Sequence, residues 1–238
     1  MLGASRIVVV VPAFREELHV GAVVKTMPTF VDAIVVVDDG SDDLTSKAAD
    51  AIGDVRVRVV RHPRRRGVGA AIVTGYEEAL GLTESARDVV CVMAGDGQMH
   101  PDDLALVCAP IVEGRADYVK GNRFRDPGVR RSMGLPRFVG GQVFSLLTSL
   151  AIGQRIHDSQ CGYTAISRHA LEVIPLDAIW HGFGYPNDLL GLLASHQLRI
   201  SEVLVRSIYG QEKSKLRFHH IPRIFVLIGR AAQRRGNR

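Results

Sequence analysis

Short runs of Val and Ile alternate with amphipathic stretches of helical period along the first hundred residues. Arg6 to Val11 and Ala33 to Val37 have the composition of strands buried on both faces of a parallel sheet. Between them, Glu17 to Met27 sets Leu18, Ala22 and Val24 on a helical stripe that stops before Pro28. Asp42 to Ala51 predicts a second helix with Ser41 or Asp42 as its N-cap. Val55 to Val60 predicts a third strand, Gly67 to Leu80 a third helix and Asp88 to Met93 a fourth strand. This βαβαβαβ order predicts an open, doubly wound α/β sheet.

Ligands of such sheets bind beyond the carboxyl ends of the strands. The polar residues gather there: Pro12 to Glu17 after the first strand, Asp38 to Asp43 after the second, Asp96 to His100 after the fourth. Downstream, the pattern predicts a helix from Pro101, a strand at Tyr118 to Lys120 and an arginine-rich loop from Gly121 to Arg131. A long helix over Leu135 to Ile152 follows, with Gly140 and Gly141 marking close packing or a bend. The segment DSQCGYTAIS comes next, then a helix around Asp188 to Ser195 and a strand over Ile200 to Val205.

At 238 residues the chain suits one domain with a sizeable core. Three cysteines without CxxC spacing read as buried thiols of a reducing compartment. The amino-terminal apolar run is broken by Pro12 and followed by charge, which fits a strand better than a signal peptide. No run of about 20 apolar residues is present, so no membrane span is expected. The formal charge of +5 is a property of the tail: residues 211–238 hold eight Lys or Arg and one acid, while the rest of the chain is net negative. Such a tail suits an anionic partner. Phe218, Ile221, Phe225 and Ile228 fall on one helical face, with Arg223, Arg230 and Arg234 on another. That layout suits a lipid interface, with a helix docked on the body or an oligomer contact as the alternatives. Basic residues without interleaved aromatics argue against nucleic acid.

Three stretches carry the chemistry. A dinucleotide fold would place GxGxxG after the first strand, but VPAFREE stands there. Gly67, Gly69 and Ala70 resemble part of that fingerprint at a later position, and serve equally as a close-packed helix start. In IVVVDDGSDD, two acids at a strand end suit ribose or base donors, or are simply solvated beside a capped helix. In CVMAGDGQMH, Asp96 and Gln98 offer a carboxylate and an amide oxygen on a tight turn, a donor set for a hard divalent cation.

Taken in order and at this spacing, VPAFREE, VVVDDGSDD, AGDGQ and GNRF resemble the family 2 glycosyltransferases of GT-A fold. Within that family the chain looks most like the polyprenyl-phosphate sugar transferases related to dolichol-phosphate mannose synthase. The likeness runs from about Ile7 to Lys215. It implies one Rossmann-like domain over residues 1–210, a mostly parallel central sheet flanked by helices. Its donor half covers about 1–100 and its acceptor half about 101–210, with residues 211–238 as a basic amphipathic segment.

The resemblance also implies roles. Pro12, Ala13, Phe14 and Glu16 match the segment lining the nucleoside pocket, with Arg15 where Asn is usual. Asp39 matches an acid contacting base or ribose, and Ser41, Gly69, Ala94, Gly95 and Asp96 complete the expected donor-binding set. Asp96 and Gln98 are the expected ligands of Mg or Mn. Ala94 replaces the first acid of the strict DxD, so the cation would lean on diphosphate and water. Arg65 and Arg66 stand where Asn is frequent. Asp188 matches an acid of the acceptor site, and Asp158 heads a segment shaping that pocket. An already ionised lipid phosphate needs no general base, only cations to neutralise and aim it. Arg123, Arg137, Lys213 and Lys215 are the candidates, with Arg123, Asp96 and Asp188 the catalytic set.

The reading that follows is inverting, metal-dependent sugar transfer from a nucleotide diphosphate sugar to a polyprenyl phosphate. It would take place at the cytoplasmic face of the plasma membrane, with a membrane-protein partner or a homo-oligomer as alternative contacts. Transfer to a soluble saccharide or alcohol with Asp188 as base is one alternative. An inactive nucleotide-sugar binding module that recruits a membrane partner is the other.

Overall fold

The computed structural model describes residues 2–126, 128–129, 133–206, 208 and 221–236. Arg130, Arg131, Lys213, Lys215, Phe218, His219 and His220 lie outside the described residues. Strands β1 (Ile7–Ala13), β2 (Ala33–Asp38), β3 (Val57–Arg61) and β4 (Val89–Val92) alternate with helices α1 (Val20–Lys25), α2 (Thr45–Asp50) and α3 (Val68–Leu80). Then follow α4 (Leu104–Val112), β5 (Tyr118–Asn122), α5 (Leu135–Ile152), β6 (Thr164–Ser167), α6 (Arg168–Val173), α7 (Tyr185–Ser195), β7 (Ile200–Leu204) and α8 (Ile221–Gly236).

The described strands form one sheet in the order β3-β2-β1-β4-β6-β5-β7. All run parallel except β6, which is antiparallel to both β4 and β5. Because strand side chains alternate faces, each buried strand supplies two cores at once. Val8, Val10, Val35, Val37, Val90 and Val92 face α3, α5, α6, α7 and α8. Ile7, Val9, Val11, Ile34, Val36 and Cys91 face α1, α2 and α4.

Strand order reverses between β1 and β4, the switch point at which α/β sheets bind ligands. There β1 outruns β4: Pro12 and Ala13 still pair with Val37 and Asp38, whereas β4 ends opposite Val10. The turn after β4 therefore folds over the end of β1, and Gly95 N donates to Pro12 O at 3.1 Å.

Three sequence expectations are revised. Helix α1 starts at Val20 rather than Glu17, because Glu17 turns outward and its carboxylate accepts Leu44 N at 3.0 Å. Strand β6, hidden in DSQCGYTAIS, inserts between β4 and β5. The tail helix does not present its main apolar stripe outward: Ile224, Leu227, Ile228 and Ala231 are buried, and α8 packs on α7 and α5. Its Phe225 lies edge-to-face on Phe144 at 5.6 Å.

Candidate active site

The loops after β1, β2 and β4 meet as the strand ends require. Asp39 N donates to Ala13 O at 2.9 Å, Arg15 N to the Ser41 hydroxyl at 2.9 Å and Glu16 N to the Thr45 hydroxyl at 2.8 Å. Ser41 thus braces the first loop against the second, and its own N–H is held by Asp38 at 2.9 Å. Glu16 is buried, with its carboxylate 3.2 Å from His19 Nδ1. Phe14 projects from this floor with the Arg65 guanidinium 4.2 Å above its ring, a cation–π contact joining the first loop to the exposed arginine run.

Asp39 is buried and heavily engaged. One oxygen accepts Arg66 N and meets His62 Nδ1, both at 2.8 Å, and the other accepts Gly67 N at 2.8 Å. His62 continues the chain to the Thr74 hydroxyl at 3.0 Å. A carboxylate with three such partners fixes the loop that leads into α3. Sequence reasoning named Asp39 for donor contact and missed His62, whose only local sign was its place after β3.

Gly69 proves to be a packing position. A Cβ there would lie 2.1 Å from Trp180 O, and one on Gly67, at φ 107°, would lie 2.5 Å from His181 O. Both glycines let the 180–182 backbone seat on the start of α3, where Ala70 N donates to His181 O at 3.1 Å. This gives Gly69 a packing role at the start of α3.

Asp96, Gly97 and Gln98 form a half-buried turn, with Gln98 N 3.2 Å from the Asp96 carboxylate and Gly97 at φ 72°. Ala94 precedes it without a polar side chain, and Ala94 N lies 3.3 Å from Met99 Sδ. Among the described residues no group of three His, Cys, Asp or Glu could hold a metal. The oxygen-only pair of Asp96 and Gln98 fits a hard cation that draws its other ligands from elsewhere.

The same turn is tied to the carboxyl-terminal half of the chain. Ile208 N donates to Gln98 O at 3.0 Å, Val205 N to Asn122 O at 3.3 Å and Gly121 N to Tyr163 O at 2.8 Å. Beyond β5, Arg123 makes a fork with the fully buried Asp158: Nε to one oxygen at 2.7 Å, Nη2 to the other at 2.9 Å, and backbone N at 3.1 Å. Burial alone would raise the Asp158 carboxyl. The charge and hydrogen bonds of Arg123, together with Lys120, outweigh burial and hold it below the usual range. Glu202 on β7 accepts His157 N and Asp158 N, each at 3.0 Å, and so fixes the backbone that carries Asp158. Lys120 is fully buried, donates to Cys161 O at 2.6 Å and has its pKa pushed down by that burial. Lys120, His157 and Glu202 were not foreseen. Arg137 stands exposed in the first turn of α5.

Asp188 is separated from this group of residues. It is fully buried in α7, where its carboxylate accepts Trp180 N at 2.8 Å and Arg234 Nη1 at 2.8 Å, with Arg230 at 3.6 Å. The expectation of an acceptor-site acid is corrected: α8 covers it with two arginines, so no oxygen faces solvent. Trp180, whose ring lies under Arg223 of α8 at 4.6 Å, also seats its backbone on the start of α3.

Comparison with known proteins agrees with this architecture. The profile that matches residues 8–174 is described as glycosyl transferase family 2. The UDP-N-acetylglucosamine–dolichyl-phosphate N-acetylglucosaminyltransferase of Methanococcus voltae is 31% identical over 220 residues, covering 86% of each chain. The polyprenol monophosphomannose synthase of Mycolicibacterium smegmatis is 31% identical over 207 residues, 84% of this chain and 76% of its own. Among solved structures, glucosyl-3-phosphoglycerate synthase from Mycobacterium tuberculosis, in complex with Mn2+, uridine diphosphate and phosphoglyceric acid, superposes with a TM-score of 0.69. It is 22% identical, covering 98% of this chain and 79% of that one. A profile spanning most of the sheet, and relatives about a third identical over nearly the full length, make this chain a glycosyltransferase of family 2 with the GT-A fold.

Proposed function

We propose that the protein transfers a sugar from a nucleotide diphosphate sugar to a polyprenyl phosphate, with inversion at the anomeric carbon. The observation that carries this reading is the contrast between two acids. Asp158 is spent on holding the Arg123 guanidinium beyond β5, whereas Asp188 is buried beneath α8 with its carboxylate engaged by Arg234 and Trp180 N. An alcohol acceptor needs a base, but a monophosphate arrives largely ionised and needs a cation to hold it. Relatives named for dolichyl-phosphate and polyprenol phosphate transfer support the same acceptor class.

In this reading Arg123, with Arg137 at the start of α5, neutralises and orients the acceptor phosphate. One phosphate oxygen attacks the anomeric carbon in line as the bond to the nucleotide diphosphate breaks. Pro12, Ala13 and Phe14 line the nucleoside side, and the Asp39-anchored loop with Arg64, Arg65 and Arg66 borders it. Asp96 and Gln98 would hold a divalent cation, Mg or Mn, which neutralises the leaving diphosphate. Solved structures of the same fold with Mn2+ and uridine diphosphate support that assignment. Residues 1–210 act as the catalytic domain. The enzyme works at the membrane surface that holds its lipid substrate, on the cytoplasmic side where nucleotide sugars are found.

The test is direct. Purified protein is incubated with Mg2+ or Mn2+, polyprenyl phosphate and a panel of uridine and guanosine diphosphate sugars. The expected product is a polyprenyl glycosyl phosphate of inverted anomeric configuration. Transfer to water or to soluble saccharides alone would overturn the reading.

A further inference from the structure

Strand β5 departs from the apolar composition usual for a strand covered on both faces. Tyr118, Lys120 and Asn122 alternate onto one face of it, and all three are fully buried. Lys120 pairs with Thr164 of β6 on one side and with Glu202 of β7 on the other, so three polar side chains stand abreast on that face. The Lys120 ammonium donates to a carbonyl, Cys161 O at 2.6 Å, not to a carboxylate. Burying a charge on such terms is costly, and an apolar side chain of similar length would avoid the cost. Packing alone does not account for a lysine at this position.

The ammonium instead reaches the support of Arg123. Cys161 N lies 3.4 Å from Asp158 O, so residues 158–161 form one turn. One end of that turn carries the carboxylate forked by Arg123, and the other is held to β5 by Lys120. Glu202, opposite Lys120, holds the start of the same turn by accepting His157 N and Asp158 N, and its carboxylate meets His157 Nδ1 at 2.5 Å. The charges facing Lys120 are the carboxylates of Asp158 and Glu202 and the guanidinium of Arg123, with the Cys161 thiol beside them. The Lys120 charge in turn helps to hold the Asp158 carboxyl ionised.

We propose that Lys120 is a positioning residue for the acceptor phosphate: its ammonium clamps the 158–161 turn to β5 and places a second positive charge behind the Arg123–Asp158 fork. This rests on the proposed polyprenyl phosphate acceptor. It goes beyond that reading by giving the site a cation, sealed from solvent, that acts through Asp158 and not on the substrate. Burial pushes the ammonium below the ordinary lysine value of about 10.4, while it pushes the Cys161 thiol and the Tyr163 hydroxyl up. Below the lowered Lys120 value the clamp is charged. As pH rises through that value the charge is lost and the fork loses its support.

The experiment compares wild type, Lys120→Met, Asp158→Asn and the double variant, with transfer to polyprenyl phosphate followed at saturating donor from neutral pH to about pH 10. Lys120→Met should raise acceptor KM about tenfold with donor KM within about twofold. It should also abolish the rise in acceptor KM that wild type shows toward alkaline pH. In the Asp158→Asn background the same substitution should change acceptor KM by less than about twofold, because the group through which Lys120 acts is gone. Carbon-13 NMR of the aspartate carboxyls needs no turnover, and the Asp158 signal is assigned by its loss in Asp158→Asn. That carboxyl should titrate at higher pH in Lys120→Met than in wild type. An unchanged acceptor KM would overturn the proposal, as would an unmoved Asp158 titration or equal effects of Lys120→Met in the two backgrounds. If Lys120→Met does not fold, the wild-type profile decides, and an acceptor KM that stays flat up to the ordinary lysine value would overturn the proposal. A wild type that uses no polyprenyl phosphate would sink the acceptor reading instead, and the carboxyl titration would still decide whether Lys120 supports the fork.

Discussion

Arg234, near the end of α8, donates to the Asp188 carboxylate at 2.8 Å and to the Asp188 carbonyl at 3.0 Å, pinning the last helix to the first turn of α7. Burial pushes the Arg234 guanidinium down from its usual value, and the Asp188 charge offsets only part of that. The pair is structural in this geometry. Removing one partner of a buried pair leaves the other charge uncompensated, which costs about 3–5 kcal/mol. With Arg234 retaining 16% exposure, Asp188→Asn should lose about 3 kcal/mol in urea unfolding, at the low end of that range. The shape of its pH–rate profile should be that of the wild type. A variant of undiminished stability that lost the acidic limb of the profile would restore Asp188 as a base.

The Arg123 fork makes a second prediction. The folded Asp158 carboxyl titrates below its unfolded value of about 3.9, so the native state binds fewer protons than the unfolded chain. Its contribution to stability is therefore present above about pH 4 and fades as pH falls through the folded value. Asp158→Asn should be less stable by about 2 kcal/mol at pH 7, as expected for lost hydrogen bonds to a charged group. Wild type and variant should converge in denaturant titrations as pH falls through the lowered folded value. In turnover, Arg123→Lys keeps a charge but loses the fork, and kcat should fall on the order of a hundredfold with donor KM little changed.

The turn after β4 offers a single carboxylate, so a cation should bind weakly to the protein alone and tightly once a diphosphate supplies further oxygens. Calorimetric titration with Mn2+ should give at least a tenfold lower Kd in the presence of uridine or guanosine diphosphate. Asp96→Ala should abolish that gain and reduce kcat/KM roughly a hundredfold or more, since charge stabilisation of this kind is worth several kcal/mol. Full activity in chelator would sink the assignment.

Much of this geometry was legible because a few local rules dominate it. Val-rich runs buried on both faces specify a parallel sheet, and a parallel sheet with polar loops at one edge specifies where Pro12, Asp39 and Asp96 converge. Strand β6 escaped notice because four residues, Thr164–Ser167, carry no period long enough to separate strand from loop. Arg123 and Asp158 were each visible as candidates, but their pairing across 35 residues is made by β5, β7 and the Glu202 clamp. The tail was the hardest: an amphipathic period states that one face is buried, not whether protein or lipid buries it. Here protein covers that face of α8.

The seat of the 180–182 segment on α3 yields the last prediction. Gly69 lies where a Cβ would come within 2.1 Å of Trp180 O, a distance that backbone atoms on both sides would have to yield to accommodate. Trp180 N is itself held by Asp188, and Asp188 by Arg234, so the segment cannot retreat without pulling on α8. Gly69→Ala should therefore cost about 1–3 kcal/mol, the usual penalty of overpacking. The displaced segment should also loosen the loop that Asp39 anchors, because Arg66 N and Gly67 N sit directly before the helix start. Thermal unfolding with and without nucleotide separates the two consequences. The variant should have both a lower midpoint and a smaller nucleotide-induced rise. A normal rise on a lowered midpoint would confine Gly69 to packing and detach it from the donor side.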